Sequence, residues 1–180
     1  MCTHDGCLSR RRFLVASAAA GLLAACGRGE GNRGSTLVAV EIDDSTSCVL
    51  DGMLLADYPG PKAQIHYDGV AQPDWFCDTV EMFALYLKPE QARRVNAVFV
   101  QDMGKADWEQ PRGHWIDARS AIYVHGSTRR GSMGPTIASF AGEQDAQAFA
   151  AQYGGTVLRF ADITPAMVVL DGGALHDQRM

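Results

Sequence analysis

The 180-residue sequence contains only five cysteines and five histidines, and these do not follow the regular spacing that zinc sites require. Three of the cysteines, Cys2, Cys7 and Cys26, lie near the N-terminus, which leaves Cys48 and Cys77 for the folded part of the chain. These two are too far apart to form a Cys-x-x-Cys motif. The sequence therefore lacks the usual pattern of a zinc protein and that of a dithiol redox motif.

Positive charge is also scarce. The 16 lysines and arginines are outnumbered by 21 aspartates and glutamates, which gives a net charge of -5 and a pI near 5.4. This balance argues against nucleic acid or an anionic lipid surface as a partner. From residue 37 onward there are about 140 residues, a length that suits one compact domain with its own core.

The longest apolar run, residues 13–25, is too short to cross a bilayer comfortably and follows three consecutive arginines. This pattern predicts that residues 1–25 are a signal peptide. Residues 9–14 match the twin-arginine export pattern. Leu23-Ala24-Ala25-Cys26 resembles the lipobox of bacterial lipoproteins, in which the cysteine is acylated. The alternative is an ordinary cleaved signal with a chance cysteine at position 26.

Acylation of Cys26 would anchor the protein to a membrane through its lipid chains. Residues 26–36 are rich in glycine and poor in apolar side chains, so they are predicted to form a flexible tether. The globular part would then lie in the periplasm next to a membrane, and Gly27 favours the outer membrane. The last ten residues, 171–180, are predicted to be a flexible tail.

The pattern of apolar residues predicts the same order of elements twice. The order is strand, strand, helix, strand, with strands at 63–67, 75–77 and 95–100 in the first half and at 121–125, 136–140 and 156–160 in the second. Each helix precedes the last strand of its half. Residues 37–170 are therefore predicted to form an α+β domain of two pseudo-symmetric ββαβ units, with helices packed on antiparallel sheets. A further strand is predicted at 37–42 and a loop at 126–135.

Three sulfur-bearing residues lie in predicted turns or loops. Cys48 and Met53 share a turn-rich segment, and Met133 lies in a loop that glycine and proline make stiff and exposed. Taken singly, Met53 is a core filler and Met133 an incidental surface residue. Taken together in an exported protein, one thiolate and two thioethers favour Cu(I) over harder divalent ions.

Other interpretations of the same residues stay open. Cys48 and Cys77 can form a disulfide, because the compartment is oxidising. His125 ends a strand just before the loop of Met133 and can add an imidazole to the same ion. Two cysteines with a carboxylate, from Asp51 or Asp78, are also compatible with a thiol-dependent enzyme.

Short motifs in a fixed order run through nearly the whole domain, from about Cys48 to Ile163. They are Cys48 with Gly52-Met53, residues 61–65, Phe76-Cys77, residues 99–103, residues 115–121, Tyr123-Val124, Met133-Gly134 and residues 154–158. Together with the lipobox cysteine, this series resembles the NosL family, the lipoprotein accessory factors of nitrous oxide reductase.

The resemblance implies a non-enzymatic carrier that delivers Cu(I) for assembly of the metal centres of nitrous oxide reductase, alongside an ABC-type membrane complex. It implies two ββαβ units, a fold related to that of organomercurial lyase. It supports Cys48, Met53 and Met133 as copper ligands. The sequence departs from the family at Asp51, where many members have a second cysteine in a Cys-x-x-Cys-Gly-Met pattern, so the site has one local thiolate.

Overall fold

The computed structural model describes residues 37–170 of the chain. The predicted signal peptide (1–25), the predicted tether (26–36) with its Cys26, and the predicted tail (171–180) lie outside the described residues. No helix within the described range is both long and apolar enough to cross a membrane.

The first half of the domain is built on a four-stranded antiparallel sheet with the strand order β2-β1-β3-β4. Helix α1 connects β2 to β3. Strands β1 and β3 have a register shift after His66, so that Tyr67 pairs with Val95. The elements are β1 (Ala63–Tyr67), β2 (Asp74–Phe76), α1 (Thr79–Tyr86), β3 (Val95–Gln101) and β4 (Trp115–Asp117).

The second half is built on a three-stranded antiparallel sheet with the order β6-β5-β7. Helix α2 precedes β7, and Gly154, with a φ of 74°, caps its C-terminus as glycine commonly does. The elements are β5 (Ile122–Gly131), β6 (Gly134–Phe140), α2 (Glu143–Tyr153) and β7 (Thr156–Arg159). The predicted architecture, an α+β fold of two ββαβ units, is confirmed.

Two local predictions were wrong. Residues 37–42 do not form a strand, because Val40 pairs its backbone with the side chain of Gln64 at 2.9 Å in both directions instead of with a neighbouring strand. The predicted loop at 126–135 is largely a hairpin, since β5 and β6 continue until only Ser132 and Met133 form the turn. Strand β4 was not predicted.

The main core lies between the two halves and is formed by apolar side chains of both sheets and of α1. Phe83 of α1 packs edge-to-face on Tyr123 of β5, with ring centroids 5.2 Å apart. Both rings are fully buried, and burial of aromatic area of this kind is a major part of folding free energy. The N-terminal end of α1 is thereby held against the β5–β6 hairpin, where the sulfur-bearing residues lie.

Candidate metal centre

The first part of the site is a tight turn at residues 47–54. Ser47 and Leu54 form an isolated antiparallel bridge, and the Cys48 amide donates to the Met53 carbonyl oxygen at 2.8 Å. The Asp51 carboxylate accepts from the Met53 amide at 2.9 Å, which closes the turn locally. Cys48 and Met53 are therefore held at the base of one turn, as the sequence predicted.

The second part is the N-terminus of α1. Asp78 caps the helix by accepting a hydrogen bond from the Val80 amide at 2.9 Å. Cys77 directly precedes this cap, and Glu81 follows four residues later, so both side chains lie on one face of the first turn. Cys77 is fully buried and Glu81 is only 2% exposed.

The third part is the turn of the β5–β6 hairpin. The Ser132 hydroxyl oxygen lies 2.8 Å from the carbonyl oxygen of Cys77 and 3.2 Å from its Sγ. Met133, the next residue, is partly buried against the cluster that contains Cys48 and Cys77. The prediction that Met133 is an exposed loop residue with no core to join is thus wrong, because the hairpin folds back onto α1 and the 47–54 turn.

These three parts form one sulfur cluster, which we define as the buried and half-buried side chains of Ile42, Cys48, Met53, Leu55, Trp75, Cys77, Trp115 and Met133. All three predicted ligands belong to it. The indole rings form one wall, in edge contact with centroids 6.0 Å apart. Four sulfur atoms in a largely apolar environment favour a soft ion, and their assignment as ligands stays a prediction.

Two carboxylates join the sulfur cluster. Oε2 of Glu81 lies 3.2 Å from Sγ of Cys48 and 3.0 Å from Sγ of Cys77, so both thiols donate towards one oxygen. Asp51 Oδ2 lies 4.0 Å from Sγ of Cys77. One ligand atom from each of these four residues lies within 4.8 Å of the others. This spacing lets one ion contact a thiolate and a carboxylate at the same time.

Cys48 and Cys77 are free thiols in the structure, although a disulfide was one of the interpretations of the sequence. The ionisation of each thiol depends on the other. The hydrogen bond from Cys77 lowers the pKa of the Cys48 thiol, and the same bond, together with burial, raises the pKa of Cys77. Cys48 is therefore the thiol that ionises first, and it is the predicted copper ligand.

A buried lysine lies beneath the site. Lys62 is fully buried, and its ammonium group donates to the carbonyl oxygens of Pro59 and Cys77 at 3.0 Å each. Burial lowers the pKa of Lys62 to about 8, and negative charge at Asp78, Cys77, Glu81 and Cys48 opposes that shift. Lys62 thus places one positive charge next to the acidic donor groups.

Sequence reasoning missed two members of this arrangement, Glu81 and Lys62. The four-residue spacing of Cys77 and Glu81, with a helix cap at Asp78 between them, was a usable signal for Glu81. Asp51 was considered as a catalytic carboxylate and as the residue in place of a second cysteine. Asp78, the other candidate for the catalytic carboxylate, caps α1. No comparable signal existed for Lys62, whose burial depends on tertiary packing.

A cavity of about 340 Å³ opens beside the sulfur cluster. Asp51, Glu81 and Met133 line it, whereas the two buried cysteines do not. His125 also lines this cavity, so the structure brings it close to Met133 but does not place it in the sulfur cluster. The cavity is completed by Leu50, Val80, Gly126, Ser127, Pro135, Thr136, Ile137, Met167, Val169 and Leu170.

The fold and the site define a two-unit α+β protein with a buried thiol and thioether cluster, and comparison with known proteins agrees with this class. The NosL family model matches residues 39–168. The chain is 43% identical over 161 residues to the copper-binding lipoprotein NosL of Stutzerimonas stutzeri, covering 86% of this chain and 83% of the relative. It is 39% identical over 165 residues to the copper-binding lipoprotein NosL of Achromobacter cycloclastes, covering 89% and 84%.

Among solved structures, the chain resembles the crystal structure of the copper chaperone NosL from Shewanella denitrificans. The TM-score is 0.69 and the identity is 42%, with 72% of this chain and 97% of that chain covered. The chain belongs to the NosL family.

Proposed function

We propose that the chain is a lipid-anchored carrier that binds Cu(I) in the sulfur cluster and passes it on without enzymatic turnover. The observation that carries the proposal is the convergence of Cys48, Met53, Cys77 and Met133 from three separate segments onto one cluster. The names of the relatives, copper-binding lipoprotein and copper chaperone, support the same function.

In this proposal Cys48 is the thiolate ligand, and Met53 and Met133 supply thioethers. Soft sulfur donors of this kind favour Cu(I) over harder ions. A single low-pKa thiolate with two neutral thioethers holds the ion while leaving it open to exchange. Asp51 takes the place of the second cysteine that many family members have, so a carboxylate, not another thiolate, borders the ion on that side.

The cellular setting is part of the proposal. Acylation of Cys26 would hold the protein at a membrane facing the periplasm, with the outer membrane favoured by Gly27. The copper would be delivered for assembly of the metal centres of nitrous oxide reductase, with an ABC-type membrane complex as a further partner. A Cys26→Ser variant that remained in the membrane fraction would contradict the anchor.

The deciding experiment is an anaerobic titration of the protein with Cu(I) against a chromophoric competitor. We expect one ion per chain in the native protein and loss of high-affinity binding in Cys48→Ser. The matched control is Ser47→Ala, which changes the neighbouring exposed residue and leaves the sulfur cluster intact. An unchanged affinity for Cu(I) in Cys48→Ser would contradict the assignment of Cys48 as a ligand.

A thiol-dependent enzyme is the second candidate, and one observation favours it. Glu81 lies between two thiols at 3.2 and 3.0 Å, so a carboxylate that can take a thiol proton and pass it to a leaving group adjoins two sulfur nucleophiles. Such an arrangement suits cleavage of an organomercurial, in which two thiolates capture the metal and the carbon group leaves protonated. Incubation with an organomercurial and detection of the released hydrocarbon would test this candidate directly.

A further inference from the structure

The cavity beside the sulfur cluster has a defined position relative to the donor atoms. Its walls include Glu81 from α1, Met133 from the hairpin and Asp51 from the 47–54 turn. Cys48 and Cys77 lie behind these residues, 3% and 0% exposed. A group that enters the cavity therefore meets the thioether and the carboxylates first, with the thiols behind them.

The walls of the cavity are mainly apolar. Val80, Pro135, Ile137 and Met167 line its sides, and the exposed side chains of Leu50, Val169 and Leu170 stand at its edge with exposures of 42%, 63% and 46%. These apolar side walls favour an apolar incoming group, because a charged one would lose its water there without replacement. The two carboxylates of the lining, Asp51 and Glu81, lie next to the sulfur cluster. The volume of about 340 Å³ lies at the low end for ligand pockets, which begin at about 300 Å³.

One polar group in this lining lacks a partner. Oγ of Ser127 is buried and has no hydrogen-bond partner within residues 37–170, and Ser127 lines the cavity together with His125. A buried hydroxyl without a partner costs free energy. A small rotation of the Ser127 side chain would bring Oγ to the cavity surface, where a peptide group of an incoming polypeptide can supply the missing partner.

We propose that the cavity is the ligand-exchange port of the site and admits a methionine side chain of the polypeptide that exchanges Cu(I) with this protein. A thioether is soft enough to take Cu(I) from Met133, and methionine is unbranched and flexible enough to reach it between apolar walls. Its backbone would bond to Ser127. This inference deepens the proposed copper-carrier function and rests on it.

The mechanism is an exchange of one thioether for another at an ion that Cys48 still holds. No covalent bond within the protein breaks, and no electron is transferred, since copper stays Cu(I). The incoming sulfur binds while Met133 leaves, so the ion is not released to water. Filling the cavity should slow this exchange while leaving the affinity of the resting site unchanged.

The test uses a synthetic apolar peptide with one methionine and a control peptide with norleucine at that position. The Cu(I)-loaded protein is mixed with each peptide anaerobically, and the transfer of copper is followed by mass spectrometry. We expect transfer to the methionine peptide and none to the norleucine peptide. Equal transfer to both peptides would overturn the proposal.

Two variants that fill the cavity, Leu50→Trp and Ser127→Phe, sharpen the test. Both should keep one Cu(I) per chain with native affinity, and both should slow transfer by about tenfold or more, since the incoming sulfur is kept out of bonding distance. Val70→Trp is the matched control, because Val70 is 47% exposed and does not line the cavity. Native transfer rates in both filled variants would contradict the port.

Binding of the methionine peptide to the metal-free protein separates this inference from the carrier function. Chemical-shift changes confined to cavity residues such as His125 and Ser127 would support the port even if the native protein bound no copper. Failure of copper binding alone would contradict the proposed function. Absence of these shifts, at peptide concentrations that saturate transfer, would overturn the port itself.

Discussion

The thiol of Cys77, which directly precedes the N-cap of α1, donates across 3.0 Å to Oε2 of Glu81 in the first turn of the helix. The same oxygen lies 3.2 Å from the thiol of Cys48, which comes from a different segment. One carboxylate therefore joins the turn at 47–54 to the start of α1. The reactivity of either thiol depends on the other, which leads to the first prediction.

Replacing Cys77 with alanine should make Cys48 less reactive at neutral pH. The hydrogen bond from Cys77 is the largest cause of the lowered pKa of Cys48, so its loss raises that pKa and leaves less thiolate. At a pH below the pKa, the rate of alkylation falls by up to about tenfold for each unit by which the pKa of Cys48 rises. The measurement is site-resolved alkylation of Cys48 by iodoacetamide, followed by mass spectrometry from about pH 6 to about pH 9.

Cys77→Ser is the matched variant, because a hydroxyl can still donate to Cys48. It should retain a good part of the native alkylation rate, and the alanine variant should not. If both variants alkylated Cys48 as fast as the native protein does, the coupling between the two thiols would be refuted.

Met133→Leu should lower the affinity for Cu(I) by about tenfold to a hundredfold or more, since loss of even an outer-shell partner of a metal ligand costs that much. Leucine keeps the apolar contact with the sulfur cluster but removes the thioether, so the fold should be nearly unaffected. Competition titration under anaerobic conditions measures the affinity, and the melting temperature reports on the fold.

Met167→Leu provides the control for this loss. Met167 lines the cavity near Met133 and packs against the main core, not the sulfur cluster. The Met167→Leu variant should therefore bind Cu(I) with the affinity of the native protein. Equal losses in the two variants would mean that Met133 acts through packing and not as a ligand.

The sequence was most informative where chemistry is local. Cys48 and Met53 lie five residues apart with a glycine between them, so a shared turn could be predicted from that segment alone. The two ββαβ units were also predictable, because the periodicity of each element is contained within it. The burial of Met133 could not be predicted, since it depends on the hairpin folding onto the 47–54 turn. The strand predicted at residues 37–42 is absent for the same reason, because these residues bond to the distant side chain of Gln64 and not to a neighbouring strand.

Charged residues in the interior were the least predictable part. Lys62 follows a proline and precedes a strand, a position in which lysine is normally solvated. Its burial requires the carbonyl oxygens of Pro59 and Cys77, which come together only in the folded chain. Glu81 was not predicted as part of the site, although it lies four residues after the thiol of Cys77.

Lys62 should make the stability of the metal-free protein depend on pH in the alkaline range. Its pKa is lowered by burial from 10.5 to about 8, so the unfolded chain binds more protons than the folded chain between these values. The free energy of unfolding must then rise with pH in this window, by roughly 3 kcal/mol in total from this residue. Below about pH 8 both states are protonated and this dependence disappears.

Lys62→Met isolates the contribution, because methionine has a similar length and no charge. Chemical denaturation at several pH values gives the difference in unfolding free energy between the native protein and the variant. That difference should shift in favour of the native protein as the pH rises through the window. Parallel stability curves would show that burial does not lower the pKa of Lys62.

Gly60→Ala should destabilise the protein much more than Gly69→Ala, although both glycines have a positive φ, 81° and 71° respectively. The conformational strain is therefore similar, about 1–2 kcal/mol for each alanine. A methyl group at Gly69 meets open space, whereas one at Gly60 would lie 2.8 Å from the Cα atom of Gly131. Because this contact is with backbone, the β5–β6 hairpin must shift, and the added cost should bring the total to about 3 kcal/mol or more.

The displacement should also reach the metal centre, since Gly131 directly precedes Ser132 and Met133 at the turn of the hairpin. We expect Gly60→Ala to lower the affinity for Cu(I) and Gly69→Ala to leave it native. Thermal unfolding and anaerobic copper titration of both variants give the two readouts together. Equal destabilisation in the two variants would mean that the hairpin shifts at no cost in free energy. A native copper affinity in Gly60→Ala would mean that the position of Met133 does not depend on the contact between Gly60 and Gly131.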